Sequence, residues 1–168
     1  RLKGRCDPVD ALNSTKRSSR ILLVLDYKRK PAPILKGIVM GLDMYAWRVK
    51  AEDAVGDFEV ASESDGFSKV EELFYWRKHH DLHGWMENLY REKGGTKDSF
   101  NCVKVRLTKE DLERLASDVV GNKLPHTTGF FFGDNPPDAE SIAHDMEFIG
   151  KALAAILQGD AVYYDSWW

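Results

Sequence analysis

Cysteine is scarce in this chain, since only Cys6 and Cys102 occur among 168 residues. Residues 40–168 contain one cysteine and cannot hold an internal disulfide, which favours a reducing, cytoplasmic location. Long apolar runs are also missing: no run approaches the roughly 18–20 residues that a membrane-spanning helix needs. The Ile21–Leu25 run is too short for a secretory signal. We therefore expect no association with a membrane.

Three common catalytic signatures are absent as well. No Gly-x-Ser-x-Gly elbow is present, which excludes the usual α/β-hydrolase nucleophile. No glycine loop runs into Lys-Ser/Thr, which excludes a P-loop nucleotide site. No His-Glu-x-x-His motif is present, which excludes that class of zinc peptidase. These absences leave no cofactor implied by the sequence.

Charge divides the chain near Met40. Residues 1–39 contain ten Lys/Arg and three Asp/Glu, a net charge of +7, whereas residues 40–168 contain fourteen and twenty-four, a net charge of −10. The acidic part does not suit a general duplex-DNA binder, which needs a basic face. The basic part would suit nucleic acid or an anionic surface only if residues 1–39 belong to the native protein.

The sequence around Met40 has the marks of a translation start. The codons for Lys36 and Gly37 read AARGGN, which resembles a bacterial ribosome-binding sequence a few bases upstream. We therefore expect a basic leader over residues 1–39 that is not part of the native domain, and a single α+β domain over residues 40–168. A chain of 129 residues is long enough to bury its own core.

Hydrophobic periodicity predicts strands interspersed with three helices. Alternating or short apolar runs predict strands at Gly41–Lys50, Phe58–Ala61, Leu73–Trp76, Asn101–Leu107 and Ala161–Trp168. Helical spacing and caps predict helices from about Arg77 to Lys93, from Thr108 to about Val120, and over Asp138–Gln158. One long helix beginning near Lys69 is the alternative for the first. The expected fold is α+β, with a small antiparallel or mixed sheet of about four strands covered on one face by three helices.

Two apolar stripes predict which helix faces are buried. In the first helix the stripe is Leu82, Trp85, Met86, Leu89 and Tyr90. In the last helix it is Ile142, Met146, Ile149, Leu153 and Ile156 or Leu157. Residues at this spacing share one face of a helix, so we expect both sets to pack on the sheet.

The strongest candidate for a binding site lies between Tyr75 and Trp85. Arg77 and Lys78 follow Tyr75 and Trp76, so two cations adjoin aromatic rings, an arrangement that suits a phosphate, a carboxylate or a stacked base. The alternative is that the rings belong to the core and the cations are solvated or paired with acids.

Three histidines in the same segment permit a metal interpretation. His79 and His83 are four residues apart, and His80 and His83 are three apart, so either pair can share a helix face. Zinc needs further ligands, which His126 or the pair His144-Asp145 would have to supply. Surface or packing histidines are the alternative, and we expect no metal here, with His79 and His83 as weak candidates.

Two further segments complete the candidate list. Gly129–Gly133 places three phenylalanines between glycines that would let backbone approach a ligand, although a core strand explains the rings equally. The last segment, Tyr163–Trp168, has rings on both faces of a strand, so one set is expected outside the core unless the chain before Met44 or a helix covers the second face. Such rings would form a binding wall or a homodimer contact.

Several of these motifs together resemble a group of small uncharacterised bacteriophage and prophage proteins. The motifs are Met40–Tyr45 (MGLDMY), Tyr75–Lys78 (YWRK) with His83 and Trp85, Gly129–Gly133 (GFFFG), and Tyr163–Trp167 (YYDSW). The resemblance covers residues 40–168 and none of 1–39, and it supports Met40 as the start. Some relatives bear the name phosphoglycerate kinase, which this chain does not fit because it lacks a nucleotide-binding glycine loop. Of the clustered histidines, only His83 belongs to the shared pattern.

The resemblance implies a phage-type accessory protein in the cytoplasm of the bacterial host. It does not indicate any particular activity. From the residues we expect it to bind a small anionic ligand or a host protein. The expected site comprises Tyr75, Trp76, Arg77, Lys78, His83, Gly129, Phe131, Gly133, Tyr164, Ser166 and Trp167. The alternative is an enzyme that uses His83 as acid or base on a phosphate- or nucleotide-like substrate. A nucleic-acid binder acting through residues 1–39 is the third candidate.

Overall fold

Alternating apolar and polar residues form a four-stranded sheet. The computed structural model describes residues 41–60, 70–128 and 138–168. Its strands are β1 (Asp43–Val49), β2 (Glu71–Arg77), β3 (Val105–Leu107) and β4 (Ala161–Trp167). They pair antiparallel throughout, in the order β2-β1-β4-β3. The predicted α+β class and the four-stranded sheet are confirmed, and β4 is an inner strand.

Three helices accompany the sheet: α1 (His80–Glu92), α2 (Lys109–Val120) and α3 (Ala139–Leu157). Thr108 begins α2 with a capping box, because its side chain accepts from the N–H of Asp111 while the Asp111 carboxylate accepts from the N–H of Thr108. Asp138 and Ser141 form the same reciprocal pair at the start of α3. The strand β2 precedes α1, so the alternative of one long helix from Lys69 is wrong.

The main core lies between the sheet and the helices. The predicted stripe of α1 is buried throughout: Leu82, Trp85, Met86, Leu89 and Tyr90 are all at most 6% exposed. It meets residues of β1, β2 and β4, with Leu112, Leu115 and Val119 of α2 and Phe148 of α3. Burial of these apolar surfaces is the dominant stabilising term for the fold.

The buried face of α3 matches the predicted stripe in part: Ile149 is buried, and Ile142, Leu153 and Ile156 are partly buried against the main core. Met146 and Leu157 are exposed to 37% and 81%. Besides Ile149, the fully buried residues of α3 are Asp145, Phe148, Ala152 and Ala155, which the predicted stripe did not contain. The helix is turned so that the carboxylate of Asp145 meets hydrogen-bond donors in the core, which the apolar pattern alone does not encode.

Two predicted strands are shorter in the structure. Within Phe58–Ala61 only Val60 pairs, in an isolated bridge with Ala54, and Ala61 lies outside the described residues. Within Asn101–Leu107 the strand begins at Val105, because Cys102 has a φ of 55°, which is not compatible with extended backbone.

The sheet face away from the main core is partly covered by the connection after β1. Trp47, Val49, Ala161 and Tyr163 form a second apolar cluster, packed against Ala54 and Val60. The hydroxyl of Tyr163 donates to the carbonyl oxygen of Gly56 over 2.6 Å, which fastens that connection to the sheet. This connection does not cover the other end of the face, where β1 begins and β2 ends, and the candidate site lies there.

The described residues belong to one unit, Gly41–Trp168. The predicted leader, residues 1–39, and its boundary at Met40 lie outside the described residues, so the expected start at Met40 stays a prediction. Among helices α1 to α3, none combines the length and apolar character that crossing a membrane requires.

Candidate functional site

Strand β2 divides the predicted binding site into two parts. Tyr75 and Arg77 are exposed, whereas Trp76 between them is 3% exposed and belongs to the main core. Successive residues of a strand point to opposite faces of a sheet. The expectation of one site containing Tyr75, Trp76 and Arg77 is therefore wrong: Trp76 is separated from the other two by the sheet itself.

The exposed part is a surface formed by Tyr75, Arg77 and Lys78 beside the half-buried Asp43 and the buried Gly41, here called the Arg77 surface. Asp43 is the direct cross-strand partner of Arg77. The Tyr75 hydroxyl donates to Oδ1 of Asp43 over 2.6 Å, and Nη1 of Arg77 lies 3.6 Å from the same oxygen. Burial, together with the hydrogen bond to Asp43, raises the pKa of Tyr75 to about 12. One carboxylate thus holds both side chains in place.

Lys78 completes this surface through an uncommon backbone conformation. Its φ is 59°, and its N–H donates to the carbonyl oxygen of Leu42 over 2.8 Å. A Cβ atom placed on Gly41 would lie 3.4 Å from Nη2 of Arg77 and 3.4 Å from Cε of Lys78. Both cationic side chains therefore lie against the same glycine, and together they offer charged donors to a phosphate or a carboxylate.

Trp167 lies on the same face as the Arg77 surface. It is the cross-strand partner of Asp43 on the side opposite Arg77, so Arg77, Asp43 and Trp167 form one row across three strands. The next row, on the helix-covered face, is Trp76, Met44 and Ser166. The structure thus places Trp167 and Arg77 on one face of the sheet and Trp76 and Ser166 on the other.

The buried part of the predicted site centres on His83. Nδ1 of His83 lies 2.8 Å from the hydroxyl oxygen of Tyr164, and the ring of Phe100 lies against both. Burial lowers the pKa of His83 to about 4, and burial raises the pKa of Tyr164 well above its usual value. His83 is 1% exposed and neutral at pH 7. This burial keeps its ring away from solvent, which disfavours the predicted acid–base role.

Ser166 and the tyrosines of β4 are also withdrawn from solvent. Ser166 is 1% exposed, and its hydroxyl donates to the carbonyl oxygen of Phe100 over 3.4 Å. Tyr163 and Tyr164 are both fully buried. The two tyrosines are thus covered on opposite faces of the sheet, whereas Trp167 and Trp168 are half-buried, and a homodimer contact through this strand stays a prediction. Gly129, Phe131 and Gly133 lie outside the described residues.

The weak metal pair, His79 and His83, is not assembled. Nε2 of His79 binds Oδ2 of Asp145 at 2.8 Å, while Nδ1 of the same ring accepts from the N–H of Leu82. His83 instead faces Tyr164. One ring thus contacts α3 and the other contacts β4, so the two do not face a common ion.

Asp145 is a buried polar residue of α3 that the predicted stripe did not contain. It is 2% exposed, and its Oδ1 accepts from the indole nitrogen of Trp76 over 3.0 Å. The sequence did contain one indication of such a residue, because a buried Trp needs an acceptor for its indole N–H. Among the described residues, His80, Asp81 and His126 also come together, with one potential ligand atom from each within 4.8 Å of the others.

Comparisons with protein-family models, with curated proteins and with solved structures find no match to this chain. The resemblance to phage proteins therefore stays a prediction. What the chain does must be argued from the Arg77 surface and from the buried polar groups described above.

Proposed function

We propose that this chain is a phage-type accessory protein of the bacterial cytoplasm that binds an anionic group at the Arg77 surface. The observation that carries the proposal is the approach of Arg77 and Lys78 to Gly41, with 3.4 Å between each side chain and the position of a Cβ there. The resemblance of residues 40–168 to phage proteins supports the class. Among the described residues, Asp43 is the one acid paired with Arg77 or Lys78, which leaves one positive charge in excess on this surface.

Exposure makes these cations available to a ligand. The Arg77 side chain is 47% exposed, Lys78 is exposed, and Tyr75 is 39% exposed. Arg77 is separated from Asp43 by 3.6 Å, which is a weak ion pair that a stronger anion can displace. A guanidinium and an ammonium side by side suit phosphate or carboxylate oxygens, and the phenol ring of Tyr75 supplies a flat wall next to them.

The backbone of Lys78 supports a role in binding. A non-glycine residue in the left-handed region costs about 1–2 kcal/mol, and such residues concentrate at ligand sites. Here the conformation is fixed by the hydrogen bond to Leu42 and places Lys78 beside Arg77.

The burial of His83 supports binding over the enzyme alternative. A catalytic acid or base must reach the reacting group within hydrogen-bond distance, and His83 is enclosed between Tyr164 and Phe100. The nucleic-acid alternative depends on residues 1–39, which lie outside the described residues.

A thermal-shift comparison tests the proposal. The probes are inorganic phosphate, a nucleotide panel and an oligoglutamate peptide, which separates a small anion from an acidic protein segment. A ligand at ten times its Kd raises the unfolding midpoint by roughly 3–6 °C. We expect a shift of that size for one probe class in the unmodified protein and little or none in Arg77→Ala.

The matched control is Lys123→Ala, which removes one positive charge from an exposed lysine after α2. It should respond like the unmodified protein. No shift with any probe, or an equal shift in Arg77→Ala, contradicts the proposed binding surface.

A further inference from the structure

A second group of polar side chains lies where the 121–128 connection meets the first turn of α1. Nε2 of His80 is 3.3 Å from Oδ1 of Asp81, and Nδ1 of His126 is 3.8 Å from the same oxygen. One ligand atom from each of the three residues lies within 4.8 Å of the other two. We infer that His80, Asp81 and His126 form a binding site for a zinc ion, separate from the Arg77 surface.

Two of the three separations between ligand atoms are close to those of tetrahedral coordination. Ligand atoms bound at about 2.0–2.2 Å in a tetrahedral zinc site lie about 3.3 Å from one another. The His80 to Asp81 distance already has that value, and the His126 to Asp81 distance exceeds it by a fraction of an ångström. The His126 side chain is 69% exposed, so its ring can close that gap without moving the core.

The connection that bears His126 is held against α1. The N–H of Thr127 donates to Oδ1 of Asp81 over 2.9 Å, and the Thr127 hydroxyl donates to the carbonyl oxygen of Pro125 over 3.1 Å. A Cβ atom on Gly84 would lie 1.9 Å from Oγ1 of Thr127, so only glycine at this position of α1 permits the approach. Residues distant in sequence are thus positioned before any ion arrives, which lowers the entropic cost of binding.

The state of His80 points in the same direction. The residue is 3% exposed, and its Nδ1 has no hydrogen-bond partner among the described residues. An unpaired buried nitrogen is unfavourable in a folded protein. Nε2, the nitrogen that faces Asp81, is the one available to the ion; coordination there does not pair Nδ1, but it stabilises the burial of this imidazole at the site.

The donor set selects the class of metal. Two imidazoles and one carboxylate suit zinc and its neighbours among the divalent transition metals, whereas magnesium and calcium prefer oxygen alone. Three protein ligands leave one tetrahedral position for water, on the exposed side next to His126. The sequence predicted no metal and considered His126 only as an accessory to His79 and His83.

Calorimetric titration of the full chain with zinc chloride tests this site. We expect binding that weakens at least tenfold in His126→Ala, which removes one ligand from an exposed position and leaves the core intact. The matched control, His144→Ala, removes an exposed histidine on α3 and should bind zinc like the unmodified protein. The inference is overturned if the unmodified protein binds no zinc, or if His126→Ala keeps its affinity and stoichiometry.

Cobalt absorption gives a second measurement that reports geometry. Tetrahedral Co²⁺ absorbs strongly in the visible region, so the unmodified protein should become coloured with one equivalent. Gly84→Ala moves Thr127 and the neighbouring His126, and should weaken the cobalt signal while all three ligands remain present. An unchanged cobalt spectrum and affinity in both Gly84→Ala and His126→Ala contradicts the site.

Discussion

Oδ1 of Asp145 lies 3.0 Å from the indole nitrogen of Trp76, and this buried contact joins helix α3 to strand β2. The same carboxylate holds His79 at the start of α1 through its second oxygen. One acidic side chain therefore connects three elements at a place where the apolar pattern predicted only apolar side chains. Its position explains why α3 turns Met146 to solvent and Phe148 to the core.

Replacement of Asp145 by Ala should cost about 2–3 kcal/mol of unfolding free energy, because it leaves the N–H of Trp76 buried without an acceptor. Met146→Ala, one residue further along the same helix, should change stability by less than about 1 kcal/mol, since Met146 is 37% exposed. Urea unfolding of both variants measures the difference. Equal losses would show that the carboxylate is not the connecting group.

Stability should fall in mild acid because of His83. Its pKa is about 4 in the folded protein and about 6.5 in the unfolded chain, so between these values only the unfolded chain binds the proton. The unfolding free energy should therefore decrease as the pH is lowered from about 6.5 to 4, by roughly 3 kcal/mol from this group. The measurement is a series of urea midpoints at different pH values.

The control for that series is His83→Gln, which keeps a polar group near Tyr164 but does not titrate. Its stability should change less than that of the unmodified protein over the same pH interval, and the two curves should converge towards pH 4. Parallel curves would assign the acid sensitivity to other groups.

Substitutions at Lys78 should separate backbone strain from charge. Lys78→Gly relieves the left-handed conformation and should raise stability by about 0.5–1 kcal/mol, after allowance for the greater freedom of glycine in the unfolded chain. Lys78→Ala retains the strain and should not stabilise. Both remove the ammonium group and should weaken anion binding, as measured by the thermal shift with the effective probe.

Two glycines within helices should respond to alanine with opposite signs. Gly150→Ala on α3 should stabilise by up to about 1 kcal/mol, because no described atom lies within 4 Å of the added Cβ and alanine favours helix. Gly84→Ala should destabilise by about 1–3 kcal/mol, because its Cβ would overlap Thr127. Thermal unfolding of the pair measures both effects, and stabilisation by Gly84→Ala would contradict the described packing.

Local signals in the sequence were sufficient for most of the fold. Thr108 and Asp111 mark the start of α2 within three residues, and Gly94, which has a φ of 91°, follows the end of α1. These features depend on neighbours in the chain, which a sequence displays directly. The rotation of α3 depends instead on the meeting of Asp145 with Trp76, sixty-nine residues away, which periodicity does not reveal.

The candidate site was less predictable for two physical reasons. Alternation along β2 separates Trp76 from Tyr75 and Arg77. A strand over Leu73–Trp76 already implies this separation, but the expected site grouped the three residues together. The meeting of His126 with His80 depends on tertiary contacts of Thr127, which no local pattern encodes. The sequence shows which residues have reactive or charged side chains, whereas only the folded structure shows which of them lie together.

The inner position of β4 has a consequence for synthesis of the protein. Among the described strands, β3 pairs with β4 alone, and β1 has only β2 as a partner until Ala161–Trp167 has left the ribosome. The nascent chain can therefore form a hairpin-like β1–β2 pair and individual helices, but the complete sheet must assemble late. Until then the apolar faces of β1 and α1 lack their final partner, and this interval is when the chain is most exposed to aggregation and to chaperones.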